Sequence, residues 1–299
     1  MQISSNLLYD RSAARMGALM ATATKLQTQI ATGKKISSPS ENVAVAQQLA
    51  EFDRKDADAG AFKTNLDLAG SLLKQADGTM NSITEQMQRA TELVNNAATD
   101  TLGAGDRKVI GDQLQSVIAT LVSLGNTNDL RGQPLFGSAA GTPAIIDNKD
   151  GTFTYNTAPS LSEVPIGENG LSIQPTETAA RIFTSSKGDT LAMLSALATA
   201  LQAGEPTGDK ARAAVDSLKT ASDQVSTVQA SVGARGARVE LQQNLLSSAS
   251  VDRAELRSTL EDTDVTQAYT ELSKTMTILS ATQASFSKLS QLSLFTYLR

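Results

Sequence analysis

The sequence predicts a mainly α protein: an elongated antiparallel helical bundle or coiled coil, with both termini at one end and a small inserted β-rich domain. Three observations predict it. Near each terminus, apolar residues recur at alternating steps of three and four, the spacing of a seam along one face of a coiled-coil helix. Two long central stretches carry an apolar residue every seventh position. Between them lies a segment where Gly, Pro, Asn and Asp interrupt short apolar runs. Composition agrees, since 40% of the 299 residues are apolar but only 4% are aromatic and none is Trp. Such a mixture suits long helices packed through aliphatic and small side chains.

The first seam runs through Met16, Leu19, Ala23, Leu26 and Ile30, and its helix is expected to stop near Gly33. Ser38 as N-cap, Pro39 at the first helical position and Glu41 three after the cap have the spacing of a capping box, so a long helix is expected to start there. Its seam is the most regular in the chain. Val45, Phe52, Ala59, Leu66, Leu73, Met80, Met87 and Val94 fall every seven residues, with Phe62, Ala69, Ala76, Ile83 and Ala90 at companion positions. At roughly 1.5 Å per residue, 45–94 would span about 75 Å. Gly60, Gly70 and Gly78 lie off the seam, each costing about 1 kcal/mol against Ala. After a break at Thr101–Gly105, a third helix carries Ile110, Leu114, Val117, Leu121 and Leu124.

From Gly125 to Ser186 the pattern turns to strands, with runs at Ala144–Ile146, Thr152–Tyr155, Val164–Ile166, Leu171–Ile173 and Arg181–Thr184. Asn148-Lys149-Asp150-Gly151 between two of them reads as a hairpin turn. Helical spacing resumes with Leu191, Leu194, Leu197 and Leu201. Beyond the turn Gly204–Gly208, a last long seam takes in Ala211, Leu218, Val225, Val232, Val239 and Leu246. Gly233 and Gly236 inside it are expected to mark a bend or a close helix contact. Glu261-Asp262-Thr263-Asp264 reads as a hinge or cap before the terminal helix, whose seam is Val265, Leu272, Leu279, Phe286 and Leu289, followed by Leu292, Leu294, Phe295 and Leu298. The expected domains are 1–40 with 262–299 (a terminal coiled-coil assembly domain), 41–135 with 188–261 (a helical rod) and 136–187 (the β-rich insert). Half-seams at both termini point to assembly through Met16, Leu19, Leu26, Ile30, Val265, Leu272, Leu279, Phe286, Leu289, Leu294, Phe295 and Leu298. They are expected to order only when covered, so that folding of the termini and assembly are one event.

Several chemistries are excluded or unsupported. The chain has no His and no Cys. That removes disulfides, Cys/His zinc sites, Ser–His and Cys–His nucleophiles and the HExxH motif. Gly33-Lys34 lacks the earlier glycine of a P-loop, since Thr28 stands there. Asp53, Asp56 and Asp58 spread around a helix and read as a solvated face. In Asp147–Gly151, Lys149 occupies what would be a calcium-ligand position, so a turn is the better reading. Met80 and Met87 read as core. No enzyme, cofactor or metal site is expected. A net charge of -5 gives no general attraction for nucleic acid, although residues 1–40 are locally basic through Arg11, Arg15, Lys25, Lys34 and Lys35. No membrane-spanning run occurs. The first thirty residues hold Asp10, Arg11, Arg15 and Lys25, so no cleavable apolar leader is visible, and export would follow another route.

The chain resembles the bacterial flagellin family over essentially its whole length, most weakly at 140–185. Met1-Gln2-Ile3-Ser4 through Gln27-Thr28-Gln29-Ile30-Ala31-Thr32-Gly33-Lys34-Lys35-Ile36 is similar to the family's N-terminal helix and its "tGkri" turn. Ser38-Pro39-Ser40 resembles "psDDP", with Glu41-Asn42-Val43 replacing the usual end. Val232-Gly233-Ala234-Arg235-Gly236-Ala237-Arg238-Val239-Glu240 matches "iGaRxnRle", and Glu261–Val265 resembles the acidic hinge. Two stretches resemble the branch that joins hook to filament: Asn126-Thr127 through Leu135-Phe136-Gly137 is similar to "dG.yLFgG", though Gln133-Pro134 departs from it, and Ser293–Leu298 is similar to "SLFdYL". The final Arg299 is shared with filament flagellins.

That resemblance implies a non-enzymatic structural subunit of the bacterial flagellum, extracellular and exported unfolded by the flagellar type III apparatus with a cytoplasmic chaperone. It implies a homo-oligomeric ring between another hook-associated protein and flagellin, with no nucleic-acid or membrane partner. The alternative it leaves is flagellin, the filament subunit itself.

Overall fold

The computed structural model describes the backbone of residues 2–99, 102–137, 142–157 and 163–297, and within them the side chains of Leu7 and of residues 9 to 288. The protein is a mainly α helical bundle with a small β insert. In chain order the helices are α1 (Gln2–Thr32), α2 (Val43–Ala97) and α3 (Ala104–Gly125). Strands β1 (Ile145–Asp147), β2 (Phe153–Tyr155), β3 (Val164–Pro165) and β4 (Ser172–Ile173) follow. Next come the one-turn helix α4 (Ala179–Phe183), β5 (Thr184–Ser185) and β6 (Gly188–Asp189). Helices α5 (Thr190–Gln202), α6 (Gly208–Glu261) and α7 (Val265–Tyr297) complete the described elements. The chain separates into two compact units, Met1–Ala57 with Ser248–Arg299, and Asp58–Ser247, so the boundaries fall inside α2 and α6.

The 58–247 unit holds the main core. From Leu66 to Val94 the seven-residue seam of α2 and its companions are buried, and so are Leu218, Val225, Val232 and Val239 of α6. Helices α3 and α5 pack closely on each other. Gly111 makes this possible, because a Cβ there would sit 2.9 Å from the Ala198 carbonyl oxygen. At the edges of the core, amide side chains tie helices together. Gln229 Nε2 donates to Asp77 Oδ1 and Asn81 Oδ1, and Gln243 Nε2 donates to Asp67 Oδ1. These directional contacts fix the register of α6 against α2, which an aliphatic seam alone specifies poorly.

The strands form three separate antiparallel pairs, β1–β2, β3–β4 and β5–β6. The Asn148–Gly151 turn closes β1–β2 as expected, with Lys149 at φ 64° and Gly151 at φ 89°. Asp147 Oδ1 accepts from the Lys149 N–H and Asp150 Oδ1 from the Thr152 N–H, so acidic turn residues satisfy their own backbone. The hairpin is joined to α5 because Tyr155 Oη donates to Asp189 Oδ1 at 2.6 Å, and the same oxygen caps α5 at Leu191 and Ala192. Burial and then that carboxylate push the Tyr155 phenol above its ordinary pKa.

Three local expectations are corrected. Helix α2 starts at Val43, not after Ser38, because Asn42 Oδ1 accepts the Val45 N–H. Glu41 instead accepts from Ser37 Oγ and pairs with Lys25 at 2.8 Å. The run Arg181–Thr184 is mostly helical: Thr178 caps α4, and Ala179, Ile182 and Phe183 are buried at helical spacing. Gly233 and Gly236 meet no close helix contact, since the space around both is open, and α6 runs through them without interruption.

Candidate assembly interface

Helices α1 and α7 pack on each other as an antiparallel pair within the 1–57/248–299 unit. The turn between α1 and α2 is locked at the base of this pair. Gly33, at φ 71°, ends α1 in a conformation that disfavours a side chain. Its carbonyl accepts from the Thr263 N–H, and the Lys35 N–H donates to the Glu261 carbonyl at 2.7 Å. Lys34 pairs with Glu261. Asp264 Oδ1 then accepts from the N–H groups of Thr266 and Gln267, capping α7. The acidic stretch before α7 is therefore a docked cap. At the far end of the pair, Tyr9 and Phe286 meet edge to face, with ring centroids 5.5 Å apart.

The predicted seam residues lie along this pairing. In α1, Met16, Leu19, Leu26 and Ile30 are half-buried and Ala23 is buried. In α7, Leu272 and Phe286 are half-buried and Leu279 is buried. Ala268 and Thr275, which the sequence reading passed over, are buried at the companion positions. Their spacing of three from Val265 and Leu272 was the available signal. Val265, the first residue of α7, remains 48% exposed. Leu289, Leu294 and Phe295 belong to α7 by backbone, and Leu298 lies outside the described residues. The two half-seams thus cover each other within one chain, although most of their residues stay only half-buried.

Asp53 and Asp56 of the carboxylate group considered above are engaged by α6. Arg253 Nε donates to Asp56 Oδ1 at 2.8 Å, and Arg257 Nη2 donates to Asp53 Oδ1 at 2.7 Å and Asp56 Oδ2 at 3.3 Å. This charge network raises the Arg257 pKa further, chiefly through Asp53. The arginines on α6 thus account for Asp53 and Asp56 of that acidic face.

In the 58–247 unit the stretch Val232–Glu240 contains a group the sequence reading left without a role. Arg235 Nη2 donates to Glu177 Oε2 at 2.6 Å, and Arg235 Nη1 reaches the carbonyls of Gln174 and Thr176. Glu177 also pairs with Arg181 at 2.9 Å. Nearby, the loop Asn126–Gly137 is built around Asp129, whose Oδ1 accepts the N–H groups of Arg131 and Gln133 and whose Oδ2 accepts from the Arg131 guanidinium. Burial pushes the Asp129 carboxyl up, but these donors outweigh it and its pKa is lowered. Leu135 and Phe136 anchor the loop in the core.

Comparison with known proteins agrees with this architecture. Residues 3–140 match the bacterial flagellin N-terminal helical region, and residues 215–298 match the bacterial flagellin C-terminal helical region. Flagellar hook-associated protein 3 of Salmonella typhimurium is 23% identical over 99% of both chains, and that of Escherichia coli is 24% identical over the same shares. A flagellin of Listeria monocytogenes is 24% identical over 90% of this chain and 87% of its own. Among solved structures, a putative flagellar hook-associated protein from Vibrio parahaemolyticus shares the fold with a TM-score of 0.67 at 18% identity. The match covers 74% of this chain and all of that one. FlgL of Xanthomonas campestris matches with a TM-score of 0.61 at 16% identity, over 69% of this chain and 99% of its own. With both family regions matched and the helices that carry them paired as described, the chain belongs to the bacterial flagellin family of flagellar structural proteins.

Proposed function

We propose that this chain is the subunit that joins the flagellar hook to the filament, assembling as a homo-oligomeric ring through its terminal helices. The observation that carries this reading is the likeness to hook-associated protein 3 in two species, which extends over 99% of every chain involved. Flagellins match over a smaller share of both chains. The α1–α7 pair supports an assembly role, because Met16, Leu19, Leu26, Ile30, Leu272 and Phe286 remain half-buried after pairing and still have apolar surface to cover. Covering it is favourable by about 25 cal/mol per Å². The three-part division into terminal assembly domain, helical rod and outer β-rich insert belongs to the same proposal. So do the hook-side neighbour (another hook-associated protein), the filament-side neighbour (flagellin), and unfolded export through the type III apparatus with a chaperone. In this role the chain carries no catalytic site and acts outside the cell.

Deleting the gene and imaging cells and medium by electron microscopy tests the proposal. Bare hooks with flagellin shed into the medium are expected. Filaments that persist, shortened or altered, would favour the second reading, a filament subunit, which the Listeria flagellin likeness supports. Normal motile filaments would contradict both.

A further inference from the structure

Asn169-Gly170 is the single Asn-Gly dipeptide of the chain, and it lies at the exposed tip between β3 and β4. The base below it is fixed. Ile166 and Ile173 are buried, and Asn65 Nδ2 donates to the Pro165 carbonyl at 2.8 Å. Gly167 packs so closely on Gln242 that a Cβ would meet its amide at 2.9 Å. Asn169 at φ 58° and Gly170 at φ 75° form the centre of a type I′ turn, closed by the Leu171 N–H donating to the Glu168 carbonyl. Among the described residues, neither the Asn169 side-chain amide nor the Gly170 N–H has a hydrogen-bond partner.

We infer that Asn169 is a site of spontaneous covalent modification, closing to a succinimide with the Gly170 nitrogen and reopening as aspartate or isoaspartate. In a type I′ turn the first central residue has ψ of about +30°, which directs the next nitrogen away from the side chain. Rotating the 169–170 peptide plane converts the turn to type II′, and that ψ becomes about −120°. There the Gly170 nitrogen eclipses Cβ of Asn169 and comes within ring-closing reach of Cγ. The Glu168–Leu171 hydrogen bond survives the rotation, because both turn types span the same four residues. Gly170 passes from φ 75° to about −80°, a change that glycine makes freely. The flipped turn is a minor state, since its first position favours glycine over asparagine, but it requires no unfolding of the base. In it, base removes the Gly170 amide proton, the nitrogen bonds to Cγ, and the Cγ–Nδ2 bond breaks as ammonia leaves. Water, the only other reactant, then opens the imide. Attack at Cγ leaves aspartate, and attack at the main-chain carbonyl of residue 169 leaves isoaspartate. The new carboxylate stands next to Glu168 and takes the net charge from -5 to -6.

Related dipeptides are held back. Asp77-Gly78 lies inside α2, where the helix occupies the Gly78 N–H. At Asp150-Gly151 the carboxylate accepts from the Thr152 hydroxyl and N–H, which keep it ionised and so a poor electrophile. Asn148 precedes the bulkier Lys149, and its amide donates to Thr152 and Thr154.

The test uses the purified full-length chain, folded and incubated at mildly alkaline pH. Trypsin releases Asp150–Arg181 as one peptide, and mass spectrometry with fragmentation locates the acid within it. Conversion at Asn169 is expected at least tenfold faster than at Asn148 or Asn156, with isoaspartate among the products, and slower at mildly acidic pH. N169Q should abolish the early release of ammonia, because the longer side chain closes only a slow six-membered ring. Conversion at Asn169 no faster than at Asn148 or Asn156 would overturn the inference. A second measurement separates the local flip from unfolding. The rate is expected to stay unchanged in urea too dilute to unfold the chain, and a rate that climbs there in step with the unfolded fraction would overturn it.

Discussion

Arg235 stands where the heptad spacing of α6 calls for an aliphatic residue, three after Val232 and four before Val239. It is retained by its partners: a nearly buried Glu177 and two backbone carbonyls that α6 itself cannot satisfy. Removing Arg235 strips Glu177 of its more buried partner, leaving it only the half-exposed Arg181, and takes a donor from both carbonyls. R235A is therefore expected to cost about 3 kcal/mol, read as a lower urea midpoint. Glycines give a paired expectation of opposite sign. At Gly60 nothing lies within reach of a Cβ, so G60A is expected to stabilise by up to about 1 kcal/mol through helix propensity. At Gly111 the obstacles are backbone atoms of Ala198 and Gln202, which cannot swing away. The overpacking penalty of about 1–3 kcal/mol there exceeds the propensity gain, and G111A is expected to destabilise. Asp129 adds a pH dependence. Its folded pKa is depressed, so its contribution is present above the ordinary carboxylate pKa of about 4 and is lost as pH falls through the lower folded value. The stability gap between wild type and D129N is expected to be widest near neutrality and to narrow below about pH 4, as urea unfolding at pH 7 and pH 3 would show.

At the scale of elements, the α1–α7 pair explains why the terminal seams looked unfinished: each is the other's partner. Their periodicity was legible because steps of three and four survive even when the seam residues are only half-buried. The start of α2 was not. A capping box needs the Glu41 carboxylate to turn back on its own helix, and Lys25 of α1, sixteen residues earlier, draws it away. Arg181–Thr184 misled for a similar reason, since a one-turn helix is too short to show a period. The role of Arg235 was invisible because its partners lie about 60 residues away in an irregular segment. L279D would place a charge at the most buried large side chain of the pair among the described residues. It is expected to remove hydrogen-exchange protection from α1 and α7 and to abolish incorporation into flagella. Protection of Leu66–Val94 and Leu218–Val239 should persist, because their core lies in the other unit. Loss of protection throughout would mean that the two units do not unfold separately.

For the molecule as a whole, the long seams, the β insert and the helical return were readable because each rests on a local repeat or turn signal. The compact units were less so: their boundaries fall inside α2 and α6, both of which run on as unbroken helices there, even past Gly60 beside the first boundary. Function follows from the same organisation. The chain spends its regular sequence on helical packing and leaves apolar surface on the helices that carry its termini, as a subunit of a larger assembly does. The proposed place of that subunit, between hook and filament, is tested most directly by immunogold labelling of isolated flagella with antibody raised against this chain. A single narrow band where the hook meets the filament is expected. Label distributed along the whole filament would contradict the junction role and identify a filament subunit instead.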